Sequence, residues 1–294
     1  MDWDNARIFL SVARVGQFLA AAKQLRLDHA TVSRRIGALE SELGARLFDR
    51  RTNGCVLTPS GERFLSAAER MEADMLRAQA ELSANDVEIA GTVRIGAPDG
   101  FGTFFLTPRL GKLMKRYPSL NIQLVPLPRT FSLSKREADL AIVIDRPVEG
   151  RLVARKLVDY TLRLYASKTY IEEHGAPQTP DELIQHPHIT YVQDLIYSDQ
   201  LNFMPQVFGP GFRRFECASA LAQAQAVKSG AGLGVLHDYA SRADPDLAVV
   251  LTDLVFRRAY WMATHADTRE LMRVRCVADF ISEEIEEARR LFAS

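Results

Sequence analysis

Between Phe18 and Gly44 the apolar positions fall into two helical runs separated by a corner of two residues. Leu19 to Leu25 make a short first helix, Arg26 and Leu27 are left for the turn, and Asp28 opens a second helix by capping the free amides of its first turn. Val32, Ile36, Leu39 and Leu43 recur at helical spacing and face a core. His29, Ala30, Ser33 and Arg34 are thereby left at the exposed amino-terminal end, and such short or hydrogen-bonding side chains suit a surface that reads bases in the major groove. The same pattern also fits an ordinary helical hairpin with a solvated face. Leu47 to Leu57 follows as two short apolar runs around Asn53-Gly54, a dipeptide whose positive φ angles favour a two-residue hairpin turn. A hairpin placed after two such helices is a wing.

From Ser60 to about Glu88 no proline or glycine follows Gly61, so one long helix is expected. Phe64, Ala68, Met71, Met75, Ala78 and Leu82 lie alternately four and three residues apart, which is the seam of a coiled coil. A helix packed on its own chain shows the same stripe. Glu62, Glu69, Glu72 and Asp74 keep the other faces wet. After Asn85-Asp86 and Gly91 the texture changes to strands alternating with helices. Strands are expected at 93–97, 122–126, 140–144 and 152–166, with a helix from the Pro98–Gly102 loop to about Tyr117. This alternation implies parallel sheets covered by helices, with ligands at the carboxyl ends of strands.

Composition narrows these readings. A chain of 294 residues with 47% hydrophobic content can bury two or three cores. No apolar run approaches the roughly 20 residues of a membrane span, and Met1-Asp-Trp-Asp lacks the features of a signal peptide, so a cytoplasmic location is expected. Three cysteines, Cys55, Cys217 and Cys276, make no disulfide framework. The net charge is zero, yet residues 1–60 hold nine Lys/Arg against six Asp/Glu, and residues 61–90 hold three against seven. The basic excess therefore lies with the two-helix motif, as attraction to phosphate requires.

Enzyme chemistry finds little support. Cys217, His237 and Asp238 are not flanked by a nucleophile turn. His174, His186 and His188 lack metal-site spacing, and Gly100-Phe-Gly102 is too short for a dinucleotide fingerprint. No cofactor and no metal are expected.

At this point the chain resembles the LysR-type transcriptional regulators over essentially its whole length. The residues that carry the resemblance are Trp3 to Phe9, Ala20-Ala21-Ala22 with Leu25, Val32-Ser33-Arg34, Leu39-Glu40, Leu43-Gly44, Leu47-Phe48, Arg50, and Leu57-Thr58-Pro59 with Gly61. The resemblance implies a multidomain α and α/β fold. A winged helix-turn-helix DNA-binding domain spans 1–60, a linker and dimerisation helix 61–90, and an effector-binding domain 91–294, similar to periplasmic binding proteins. Two crossing strands, marked by Leu162 and Thr264, divide the last into subdomain I (91–162 and 267–294) and subdomain II (163–266).

By position, His29, Ala30, Thr31, Ser33 and Arg34 meet base edges, while Arg50, Arg51 and Asn53 of the wing meet phosphates or the minor groove. Arg34 has the strongest chemistry, because a guanidinium bonds both acceptors of guanine. Two departures stand out: Leu19 replaces the serine or threonine that usually caps the first motif helix, and Arg26 holds the corner, where a left-handed conformation costs roughly 1 kcal/mol. The implied partners are double-stranded DNA with approximate two-fold symmetry, a small-molecule effector, a second copy through the linker helix, a homotetramer, and RNA polymerase.

The effector cleft is expected at strand ends. Asp99, Gly100, Phe101 and Thr103 lie where a strand gives way to a helix start, and Ser219 caps a helix facing them. Thr130, Phe131, Ile144, Tyr197 and His237 occupy comparable positions, with His237 standing where the family more often has proline. Asp99 repels an anionic ligand unless Arg129 or Arg146 offsets it, which favours a neutral or amine-bearing effector. The carboxyl-terminal two thirds alone would suit a solute-binding protein, a reading opposed by residues 1–60.

Overall fold

A computed structural model describes residues 2–51, 54–82, 89–129, 133, 137–147, 152–203, 207, 212–266 and 268–292, without the side chains of 73, 76, 77 and 79–82. Asn53, Thr130 and Phe131 of the expected sites fall outside the described residues. The chain divides into one unit of residues 1–87 with 267–271, and another of 88–266 with 272–294.

The first unit contains α1 (Trp3–Val15), α2 (Phe18–Leu25), α3 (His29–Leu43), a hairpin of β1 (Phe48–Arg51) and β2 (Gly54–Leu57), and α4 (Pro59–Leu82). Its helix ends follow local chemistry. Asp28 Oδ1 accepts from the Thr31 amide at 2.7 Å, and Arg26 takes the left-handed conformation at φ 55° that a two-residue corner demands. The helix start differs from expectation. Gln17, not Leu19, is the residue before α2; it makes no side-chain cap, and Leu19 is an exposed residue of the first turn.

Gly54 also differs from its expected role, for the register pairs it with Arg51 and makes it the first residue of β2. Its φ of 145° and its closeness to Gly16 explain the glycine: a Cβ would lie 2.6 Å from the Gly16 carbonyl oxygen, which already accepts from the Cys55 amide at 2.8 Å. The wing is thus fastened to the end of α1. At the start of α4, Thr58 Oγ1 donates to the Arg46 carbonyl and accepts from the Gly61 amide.

Phe9, Phe18, Val32, Ile36, Leu39, Leu47 and Phe48 form the core of this unit, joined by Ala68 and half-buried Phe64 from α4. The Phe9 ring lies 5.1 Å from Phe48 and 4.9 Å from Phe64. The first part of the expected seam therefore packs on its own chain. Met75 and Ala78, further along the stripe, are exposed.

The second unit is built on one sheet with strand order β4-β3-β5-β11-β6-β9-β7-β8, and β10 paired to β6. The strands are β3 (Gly91–Ala97), β4 (Leu120–Pro126), β5 (Leu140–Val143), β6 (Leu152–Ser167), β7 (His188–Tyr191), β8 (Arg214–Cys217), β9 (Leu233–His237), β10 (Leu247–Val249) and β11 (Val255–His265). Its helices include α5 (Thr107–Arg116), α6 (Lys168–His174), α7 (Ala220–Lys228), α8 (Asp238–Ser241), α9 (Met272–Glu287) and α10 (Arg289–Phe292). Parallel pairs β3–β4 and β3–β5 make the first lobe, and parallel pairs β7–β8 and β7–β9 the second.

The long antiparallel strands β6 and β11 run through both lobes. On β6 the change comes at Leu162, which pairs with His237 of the second lobe. On β11, Trp261–Thr264 pair with β5, so we set the second crossing at the register shift between Tyr260 and Trp261 rather than at Thr264.

Candidate nucleic-acid interface and effector cleft

Burial of Val32, Ile36 and Leu39 fixes which face of α3 is left open. His29, Ala30 and Arg34 are exposed on it, and Thr31 and Ser33 are half-buried. Thr31 is committed to the helix start, since its hydroxyl donates to Asp28 Oδ2 at 2.7 Å; that hydroxyl holds the Asp28 carboxyl below the usual range. The arginines are not equivalent. Arg35 reaches Asp2 at 2.8 Å and Asn5 at 3.2 Å. Arg50 lies over the Phe18 ring at 4.6 Å and donates to Ser33 Oγ at 2.8 Å, tying β1 to α3. Arg34 has no side-chain partner among the described residues.

Arg50, Arg51 and His29 line an open groove with Gln17, Phe18, Leu19 and Gly54. Sequence reasoning missed Gln17, Phe18 and Leu19 as groove residues. A large apolar Leu19 at an exposed helix start was the available signal.

In the second unit the residues after β3 build one wall of the cleft. Asp99 and Gly100 begin a helical stretch that winds as a π-helix over Phe101–Leu106 before becoming α5. Asp99 is 7% exposed, and its Oδ2 accepts from the Ala220 amide, the first of α7, at 2.6 Å. Ser219 caps the same helix by accepting from the Ala222 amide at 3.1 Å. Burial raises the Asp99 pKa, and the amides of Ala220, Leu221 and Gly100 offset this only in part.

Among the described residues, no arginine offsets the Asp99 charge directly. Arg129 pairs with Glu137 at 2.8 Å, and Arg146 lies over Trp261 at 5.5 Å. Backbone amides at a helix start supply what was expected of a side chain.

Gly100 approaches the second lobe closely enough that a Cβ would sit 2.9 Å from His237 Cε1 and 3.3 Å from the Ala220 Cβ. His237 ends β9, and burial depresses its pKa to about 4. Its ring stacks on Tyr160 at 5.7 Å, and Tyr160 stacks on Tyr260 at 4.0 Å. The Tyr239 and Tyr260 hydroxyls are 3.1 Å apart. The Asp99 charge acts on Tyr191, Tyr197 and Tyr239 and helps raise their pKa values, with burial the larger cause in each.

Asp99, Gly100, Ser219, Tyr197 and His237 thus gather around one place. Phe101 and Ile144 are core residues, Phe101 packing on Tyr260 at 4.6 Å, and Thr103 is half-buried. Tyr160, Tyr191, Tyr239 and Tyr260 were not anticipated. Tyr160 and Tyr260 stand on the crossing strands, where pattern alone does not separate a cleft wall from a core. Among the described residues no His, Cys, Asp and Glu cluster could hold a metal, and no helix is long and apolar enough to cross a membrane.

Comparison with known proteins covers both units. Residues 3–62 match the family model of the bacterial regulatory helix-turn-helix protein, lysR family, and residues 86–286 match that of the LysR substrate binding domain. The HTH-type transcriptional regulator CrgA of Neisseria meningitidis is 28% identical over 96% of each chain. An HTH-type transcriptional regulator of Xanthomonas campestris is 34% identical over 63% of this chain, and the matched part is 54% of that relative. Among solved structures, CrgA from Neisseria meningitidis superposes with a TM-score of 0.59 at 26% identity, covering 97% and 99% of the two chains. ArgP from Mycobacterium tuberculosis has the same fold, with a TM-score of 0.72 at 18% identity over 97% of each chain.

Proposed function

This chain belongs to the LysR-type transcriptional regulators, and on that premise we propose how its own residues divide the task. The exposed end of α3 enters the major groove, where Arg34 reads a base edge beside His29, Ala30, Thr31 and Ser33. Arg50, Arg51 and Asn53 of the wing hold phosphates or the adjoining minor groove. The exposed part of α4 pairs with a second copy, which presents two such heads to an operator with approximate two-fold symmetry. A small effector between the lobes of the second unit alters the spacing of the heads. Two dimers joining as a tetramer, contact with RNA polymerase and a cytoplasmic location belong to the same proposal, and no catalytic step is assigned to the chain.

The observation that carries this reading is the contrast among three arginines. Arg35 and Arg50 are held by Asp2 and Ser33, whereas Arg34 extends from the open face of α3 with its donors available. Fluorescence anisotropy on genomic fragments beside the coding region, and on scrambled duplexes of equal length, tests it. Arg34→Ala is expected to weaken the preferred site by about 1–3 kcal/mol and leave scrambled DNA nearly unchanged. Equal loss on both, or no preferred fragment for the parent protein, overturns the base-reading role.

A further inference from the structure

We propose that Asp99 is an internal stand-in for an acidic ligand, so that the cleft is filled at its anion position by the chain itself and selects effectors that bring no acid group there. This rests on the reading of the cleft as the effector site and deepens it by naming the class of ligand that is turned away.

The start of a helix offers amides without partners and a partial positive charge, a standing invitation to a carboxylate. At α7 that place is taken. Asp99, which stands 121 positions away in the chain, puts Oδ2 2.6 Å from the Ala220 amide, while the cap made by Ser219 leaves that particular amide to it. The contact spans the two lobes, and it is backed by the close approach of Gly100 to His237 and Ala220. A carboxylate from outside would meet the Asp99 charge at the position where it needs the amides.

The described side chains around that place add no cation to answer an incoming acid. At the same place Tyr160 is 1% exposed, and its ring lies against His237 and Tyr260. Among the described residues no arginine or lysine is paired to Asp99: Arg129 and Arg146 are engaged elsewhere, and Arg163 lies 3.7 Å from Asp238. What the wall presents is one carboxylate and neutral tyrosine hydroxyls. The tyrosine hydroxyls serve donors and acceptors alike, so it is the Asp99 carboxylate, already seated on the amides, that favours a neutral or amine-bearing ligand over one with an acid at this end.

Chemical rescue tests the assignment in the full-length protein. Sodium acetate and sodium formate are titrated against sodium chloride at equal ionic strength, and thermal unfolding is followed for the parent, Asp99→Ala and Asp99→Asn. Asp99→Ala vacates the amides, so its midpoint is expected to rise by a few degrees and saturate with acetate or formate, while the parent follows chloride alone. Asp99→Asn keeps the volume filled and should respond less than Asp99→Ala. If Asp99→Ala is unfolded in chloride, recovery of folded protein in acetate is the same result in another form.

A parent protein that responds to acetate as strongly as Asp99→Ala overturns the proposal. So does an Asp99→Ala protein that acetate neither stabilises nor restores. DNA anisotropy on the same samples keeps the two readings apart, because loss of fragment preference in the parent defeats the regulatory reading whether or not acetate rescues the variant.

Discussion

Replacing Gly54 by alanine asks whether the wing is held in place by the closeness of two backbones. The added Cβ would lie 2.6 Å from the Gly16 carbonyl oxygen and 3.3 Å from Gln17 Cγ, at a φ of 145°. Holding a residue with a side chain in such a conformation costs about 1–3 kcal/mol. Moving away to relieve the clash gives up the hydrogen bond from the Cys55 amide to Gly16, worth about 1 kcal/mol. The expected loss is about 2–4 kcal/mol, a large part of the stability of a small domain.

The same substitution at Gly37 supplies the opposite sign. Gly37 sits inside α3 with nothing within 4 Å of where an added methyl would stand, and alanine there removes the helix penalty of glycine, up to about 1 kcal/mol. Trp3 and Trp261 are the two tryptophans, so in a Trp261→Phe background Trp3 emission reports urea unfolding of the first unit alone. Gly54→Ala should also weaken binding to all duplexes alike, because the wing is proposed to meet phosphate. Unfolding curves for Gly54→Ala that overlie the parent's, or that shift as Gly37→Ala does, would refute the close-approach argument.

Two further outcomes follow from burial. Met75→Glu places a charge on the exposed part of α4. It should dissociate the oligomer in sedimentation while leaving Trp3-detected unfolding unchanged, since Phe64 and Ala68, not Met75, serve the core of the first unit. An intact oligomer removes Met75 from the seam. Burial depresses the His188 and His237 pKa values to about 4, from an ordinary value near 6.5, so the unfolded chain takes up these protons first and stability falls as pH drops from about 6.5 to about 4. Each contributes a loss of about 2 kcal/mol between pH 7 and pH 5. Urea unfolding at the two pH values, with His188→Gln removing its own share of about 2 kcal/mol, checks it; equal pH dependence in parent and variant excludes His188.

What the sequence disclosed and what it withheld divide along distance in the chain. The corner at Arg26, the cap by Asp28, the cap by Ser219 and the main strands depend on neighbours a few residues away, and pattern suffices for them. The partner of Asp99 was misjudged because charge reasoning looks for arginines, whereas the backbone amide of Ala220 carries no signature in the sequence. Gly54 was read as a turn residue because Asn-Gly so often is; its actual demand comes from Gly16, on a different element. The stripe from Phe64 to Ala78 looks uniform as letters, and folding alone decides that Ala68 is buried in its own chain while Met75 stays exposed.

The sharing of β6 and β11 by both lobes sets how the second unit can flex. Two peptide tethers would let the halves drift apart, but strands bonded to each other along their length act as one bar that parts only if its ladder of hydrogen bonds breaks. The irregular step at Tyr260/Trp261 is where that bar is already interrupted, and the stacked Tyr160 and Tyr260 rings lie beside it. Pulling the lobes apart would mean breaking that ladder, so whatever change Asp99 transmits through this unit is confined to motions that keep β6 and β11 paired.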